Sequence, residues 1–383
     1  MKLFWRPTHV SPTLLSLVAA LAVAGYLLVE TVRVERPQPD YQLKIDAAKV
    51  CDSAFEVIKN ARVALNPKFN DETDPLHSGL IGPTVSYITS KAGNLEAKQT
   101  TVNPNWAAVF IALFKKARIE EGDTVAFGVS GSFPALNIAA LSAAKVMGLR
   151  PLIITSVSAS TWGANNEQFT WLDMEAELRA KGIFDFKSIA ATKGGLDDRG
   201  GGITRDGKEK IIEAMRRNQV EELVGKKREE LVDARIEAYE KAAAGAAIVA
   251  YVNIGGGLAS VGSVKAKNAF GAGVNDRAPT GDAEDAVGVM QSFAKKGVPV
   301  VHVSRIRVLA EKWGLPWTPQ SMPKPGEGQV YRKKVYDTWL VWVVLCGILA
   351  SLVAITRIDV NFVLRKVFRA GGAYPAQPPG PSV

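Results

Sequence analysis

The sequence predicts an α/β fold: a mostly parallel, doubly wound, Rossmann-like sheet domain with a helical insertion, flanked by one N-terminal and one C-terminal transmembrane helix. Three observations predict it. Residues 122–157 read strand, tight turn, helix, strand, the grammar of parallel α/β units. Short apolar runs of strand length recur at 246–254 and 298–303, between helical stretches. Two uncharged apolar segments, of 16 and 19 residues, stand at 14–29 and 338–356.

In chain order, Leu14–Val29 (LLSLVAALAVAGYLLV) follows Lys2 and Arg6 as in a signal sequence. As a helix it reaches roughly 24 Å, short but sufficient for a bilayer core with its flanks. A cleaved signal peptide is the competing reading, because Ala22-Val23-Ala24 resembles a cleavage site. Apolar residues continue past that point to Val29, which favours an uncleaved anchor. Residues 45–64 and 104–118 carry the spacing of amphipathic helices. Thr124–Val129 (TVAFGV) is a buried strand, Ser130-Gly131-Ser132 a turn, Ser132 a helix cap and Pro134 a first helical residue. Ala135–Met147 is then a small-residue helix stopped by Gly148, and Leu152–Val157 the next strand. Phe186–Ala191 is a weaker strand. Arg205–Asn218 and Glu221–Ala244 are helices, the second laced with charge pairs at helical spacing and read as the insertion. Ala246–Ile254, Ala286–Lys296 and Val298–Val303 complete the body as strand, helix and strand. Thr338–Thr356 is the second span, with Trp339 and Trp342 where interfacial aromatics belong. The boundaries are a segment 1–13, a span 14–29, a linker 30–44, a body 45–323, a basic linker 324–337, a span 338–356 and a Gly/Pro-rich tail 357–383 expected to be partly disordered.

Composition narrows the function. With 47% apolar and 22% charged residues the chain is neither disordered nor collagen-like. Two cysteines and three histidines give no disulfide framework and no metal-ligand cluster, so no metal is expected. Of the net +9, residues 1–36 carry +2 and residues 324–383 carry +5, which leaves the 37–323 body nearly balanced. Excess charge beside apolar segments reads as membrane topology; no nucleic-acid partner is expected. Two spans put both termini on one side. Basic residues divide almost evenly between the two sides, so the signal-like N-terminus sets the expectation: cytoplasmic termini and an extracytoplasmic body in a bacterial cytoplasmic membrane.

Ligands of open parallel sheets bind at the carboxyl ends of the strands. Four Gly/Ser-rich loops follow predicted strands: 130–132, 156–163 (SVSASTWG), 193–202 (KGGLDDRGGG) and 253–262 (NIGGGLASVG). Their amides and hydroxyls suit an anion, which makes Ser130, Gly131, Ser132, Ser156, Ser158, Ser160, Asn253, Gly255, Gly256 and Gly257 the candidate ligand-binding residues. No loop is a P-loop, and Gly255-Gly256-Gly257 lacks the rest of a dinucleotide fingerprint, so no cofactor is expected. Gly128-Val129-Ser130-Gly131-Ser132 nearly matches a nucleophile elbow, with Ser132 where the motif has glycine. A Ser130 nucleophile with Asp282 or Asp285 and His302 would satisfy the chain order of a hydrolase; the competing reading is a turn serine and a satisfied strand histidine. Asp197-Asp198-Arg199 could hold a cation or cap a helix, and a solvated loop is the favoured reading. Trp162, Trp171, Trp313 and Trp317 read as packing residues.

The stretches LIGPTVSYITSKAGNLEAKQTTVNPNWAAVFIALFKKA (80–117) and GDTVAFGVSGSFPALNIAALSAAKVMGLRPLIITSVSASTWGAN (122–165) resemble the poly-γ-glutamate system proteins, as do FTWLDME (169–175), DDRG (197–200), NIGGG (253–257) and GLPWTP (314–319). These are membrane components found with the amide-ligase machinery that makes poly-γ-glutamate. The resemblance implies a role in synthesis, export or processing of that anionic polymer, with the other membrane subunits of the machinery and the polymer itself as partners. It supplies no catalytic residue. Two functions stay open: a non-catalytic binding component, or a γ-glutamyl hydrolase or transferase working through Ser130.

Overall fold

A computed structural model of the chain describes residues 12–66, 68–255, 257–281 and 285–357. It divides into two compact units, residues 37–332 and the flanking segments on either side. The flanking unit holds helix α1 (Pro12–Thr31) and strand β1 (Arg33–Pro37). The larger unit runs through α2 (Tyr41–Leu65), β2 (Thr89–Lys91), α3 (Leu95–Thr101), α4 (Trp106–Lys116), β3 (Thr124–Ser130), α5 (Pro134–Val146) and β4 (Arg150–Ser156). Three two-residue strands follow, β5 (Ala159–Ser160), β6 (Asn165–Asn166) and β7 (Phe169–Thr170), then α6 (Trp171–Ala180), β8 (Ser188–Thr192), α7 (Arg205–Arg217) and α8 (Arg228–Ala243). The unit ends with β9 (Ile248–Ile254), α9 (Leu258–Val261), α10 (Val264–Ala269), β10 (Gly273–Asn275), α11 (Val289–Lys295), β11 (Val300–Val303) and α12 (Ile306–Trp313). Strand β12 (Arg332–Tyr336) and helix α13 (Thr338–Arg357) return to the flanking unit.

The larger unit is a mixed α/β domain on a six-stranded, mostly parallel sheet in the order β10-β11-β9-β3-β4-β8. Only β10 is antiparallel, pairing Gly273 with His302 of β11. The strands are near-continuous apolar runs because both faces are covered. Val125, Phe127 and Val129 of β3 join the core built with α2, α4 and α5, while Ala126 joins the core on the opposite side. On that side Tyr239 of α8, Tyr251 of β9 and Phe293 of α11 form a cluster with ring centroids 5.1–6.1 Å apart. Helix α5 is buried from Pro134 to Ala144, and its alanines and serine let α2 and α4 approach closely.

Several expectations shift. Ser132 does not cap α5: Phe133 holds that position, and the Ser132 hydroxyl instead accepts the Ser160 N–H at 3.0 Å. The helix expected over Glu221–Ala244 begins only at Arg228. Upstream of it, Glu221 O accepts the Ala191 N–H and Leu223 N donates to Ala191 O, both at 2.8 Å. Those bonds satisfy the otherwise open edge of β8, a demand that outweighs the segment's helical charge pattern. Helix α11 likewise starts at Val289, after Gly288.

In the flanking unit, Pro12–Thr31 and Thr338–Ile355 are long and apolar enough to cross a membrane, with mean hydropathy 2.1 and 2.4. They pack side by side; a Cβ added to Gly25 would lie 2.5 Å from Val344 Cγ1, so the close approach requires glycine there. Strands β1 and β12 pair in a two-stranded ribbon beside them. Arg33 is bonded to Glu30 and lies over the Tyr336 ring at 4.5 Å, and Tyr336 Oη donates to Glu30 at 2.9 Å. The expectations for residues 1–11 and for the tail beyond 357 fall outside the described residues.

Candidate functional site

Four adjacent parallel strands end at one edge of the sheet, and each of the four Gly/Ser loops leaves from one of them. Register pairs Ser130 with Ser156 and Ser156 with Thr192, so three hydroxyl residues stand in a row across β3, β4 and β8. Beyond the row lies a cavity of about 430 Å³. Ser130, Ser132, Ser156, Ser158 and Gly257 all line it. Gly131, Ser160, Asn253 and Gly255 do not. Gly131 and Ser160 brace residues that do: Gly131 N donates to Ser156 O and Ser160 N to Ser132 Oγ, both at 3.0 Å. Asn253 Nδ2 donates to Gly255 O at 2.9 Å. Gly256 and Asp282 lie outside the described residues, and Asp285 is exposed.

The 193–202 loop forms one wall, and a buried ion pair fixes it. Asp198 and Arg235 are each only 2% exposed. Arg235 Nε and Nη2 donate to Asp198 Oδ2 at 3.0 and 2.6 Å, and Nη2 also reaches Thr192 Oγ1 and Ser156 Oγ at 2.8 and 2.9 Å. Asp198 Oδ1 accepts from Ser156 and Thr192 at 2.7 and 2.8 Å. The expected solvated loop is therefore corrected for Asp198, which is a structural anchor. Asp197 alone is partly solvated, 3.9 Å from both Arg199 and Arg228, and Thr204 caps the next helix. Both aspartates sit in the left-handed region, with φ of 54° and 63°, a strain of order 1 kcal/mol each that the bonds to Asp198 offset.

Sequence reasoning missed the cations. Lys91 of β2 and Lys267 of α10 line the cavity, while the one carboxylate among its described lining residues, Asp198, is already neutralised by Arg235. The Lys91 pKa is lowered by desolvation ahead of repulsion from Lys267, although the residue as a whole remains exposed. Lys98 of α3, 3% exposed, donates from Nζ to Ser132 O and to Ser160 Oγ, the latter at 2.8 Å. Burial, and then repulsion from Lys91, lowers the Lys98 pKa to about 7. Only its place inside NLEAKQTT could have marked it, and no spacing rule singles it out. Ser158 is 2% exposed, and its hydroxyl has no partner among the described residues although the residue faces the cavity.

Ser130 and His302 do not form a dyad among the described hydrogen bonds. The Ser130 hydroxyl accepts the Ser132 N–H at 3.1 Å. His302 is fully buried on β11, opposite Asn253 of β9, and its Nδ1 accepts from Asn253 Nδ2 at 2.9 Å. Ser260 donates to Asn253 Oδ1, which with the bond to Gly255 O sets the amide's orientation. Burial, followed by Lys267 and Arg305, lowers the His302 pKa to about 4, so the ring is neutral at pH 7. Among the tryptophans Trp171 is fully buried, and Trp162, Trp313 and Trp317 pack partly buried on the core. Among the described residues no group of three or more His, Cys, Asp or Glu could hold a metal. Comparison with protein-family models, with curated proteins and with solved structures finds no match to this chain.

Proposed function

We propose that this chain is a two-pass membrane component of a poly-γ-glutamate synthesis or export system, whose doubly wound, Rossmann-like body binds γ-glutamyl carboxylates at the strand-end cavity. One observation carries the reading: among the described residues, a Ser/Gly-walled cavity at the strand ends holds two lysines and no carboxylate free to oppose an anion. The volume, about 430 Å³, is that of a small-molecule site and suits the end of a chain or a short oligomer. The sequence resemblance supports the choice of polymer. The apolar helices support membrane attachment, with the termini cytoplasmic and the body outside in this reading. Binding is favoured over hydrolysis because Ser130 has no basic partner among the described hydrogen bonds.

The test is calorimetry on the full chain in detergent micelles, with a γ-linked glutamate pentamer and its fully amidated counterpart. The pentamer binds, the amidated form does not, and Lys267→Ala weakens binding about tenfold or more. Equal binding of the two oligomers would remove the carboxylate reading. Reporter fusions at residue 200 check the orientation; an active cytoplasmic-only reporter reverses it.

A further inference from the structure

A buried amine with no acid beside it needs a reason to stay in a folded protein. Among the described residues Lys98 makes no ion pair with a carboxylate. Its Nζ is held by the Ser132 carbonyl and the Ser160 hydroxyl and lies 4.0 Å from the Phe133 ring centroid. Ser132 is itself a cavity residue, and its hydroxyl takes the Ser160 N–H at 3.0 Å. The amine therefore stands one residue behind the cavity wall. We propose that Lys98 is the third cation of the strand-end site, and that a carboxylate entering the cavity loads a proton onto it. The proposal rests on the carboxylate-binding reading and adds its coupling to pH.

The surroundings of Lys98 favour this. On its own helix Glu96 is exposed to solvent. On β2 the facing charge is Lys91, itself repelled by Lys267 of α10. The turn before α5 and strand β5 present Ser132, Phe133 and Ser160, none of which titrates near neutrality. Helix α12, packed against α3, carries Arg307 and Glu311, exposed and bonded to each other at 2.9 Å, and an exposed Lys312. The charge acting on Lys98 is thus positive and desolvation opposes its ammonium form, which brings its pKa to about 7. An anion in the cavity reverses the sign of the local field. An opposite charge within about 4–6 Å raises an amine pKa by one to three units, so the empty site is about half protonated near pH 7 and the filled site largely so. Binding then takes up about half a proton at pH 7, and the pentamer's Kd weakens roughly tenfold between pH 6 and 8.5.

The experiment titrates the full chain in micelles with the γ-linked glutamate pentamer at pH 6.0, 7.0 and 8.5. Two buffers of unlike ionisation heat are used, so that proton uptake is read directly. Uptake near one half at pH 7, absent in Lys98→Met together with the tenfold pH effect, is the expected result. Should Lys98→Met fail to fold, nitrogen NMR of the lysine ammonium groups in wild type replaces it, and a signal that persists to higher pH only with pentamer bound is expected. Pentamer binding without proton uptake overturns the role of Lys98 and leaves the carboxylate site standing. Uptake that survives in Lys98→Met overturns it as well. No pentamer binding at any pH overturns both.

Discussion

Replacing Arg235 with methionine would strand the Asp198 carboxylate in the wall of the cavity. Both side chains are 2% exposed, so neither charge has water to fall back on. The substitution deletes four hydrogen bonds, two to Asp198 and one each to Thr192 and Ser156. The two serine and threonine hydroxyls can still donate to Asp198 Oδ1, which softens the loss without restoring the charge balance. Breaking one side of a buried pair costs about 3–5 kcal/mol, whereas replacing both partners by apolar groups is often neutral or stabilising. At about 2 °C per kcal/mol for a large domain, Arg235→Met lowers the melting temperature by about 6–10 °C. Asp198→Leu with Arg235→Met recovers most of that loss. Thermal unfolding of the purified full chain, followed by far-UV circular dichroism, reads both values. Limited proteolysis reports the 193–202 loop, which the single variant exposes to cleavage. A drop below about 2 °C in the single variant, with the loop still protected, would refute the assignment of the pair as the anchor of that wall.

Three further outcomes follow from the same geometry. Glu175, buried and held by Ser188 N–H and Oγ at 2.5 and 2.8 Å, has its pKa raised to about 7 by desolvation. A raised carboxyl is protonated in the fold while the unfolded chain is already ionised, so stability falls as pH rises from about 4.5 to 7; Glu175→Gln removes that loss, and thermal melts show it gaining about 2–3 kcal/mol at pH 8 and almost nothing at pH 4. Ser158→Ala leaves the melting temperature unchanged, since its hydroxyl has no partner among the described residues, and weakens pentamer binding about tenfold in calorimetry through loss of a hydrogen bond to a charged group. Gly131→Ala would set a methyl 2.7 Å from Val157 O, so melts of that variant show a loss of about 1–3 kcal/mol and binding fails as the β3–α5 turn moves.

The parallel strands were legible because buried strands are uninterrupted apolar runs, as in TVAFGV and LIITSV, closed by Gly/Ser turns. The two apolar helices were legible from length and lack of charge alone. What escaped depended on contacts remote in sequence. The segment before Arg228 reads as helix by charge spacing, yet the empty edge of β8 claims it. Asp198 reads as a surface acid beside Arg199, and its true partner lies 37 residues on. Lys98 and Lys267 come from opposite ends of the domain to one site, and no local pattern distinguishes either from a surface lysine. Hydroxyl and glycine loops announce a strand-end site more plainly than the charges that decide what it binds.

The pairing of α1 with α13 has a further consequence, which concerns the denatured chain. The two helices enclose roughly 300 residues of intervening polypeptide. While they stay associated, an unfolded body remains a closed loop with both ends pinned together. By the loop-entropy relation for a covalent cross-link, pinning a loop of that length is worth about 5–6 kcal/mol. Gly25 against Val344 then works as a reversible staple: a bulky side chain at 25 would lower the stability of the body by giving the unfolded chain back its freedom.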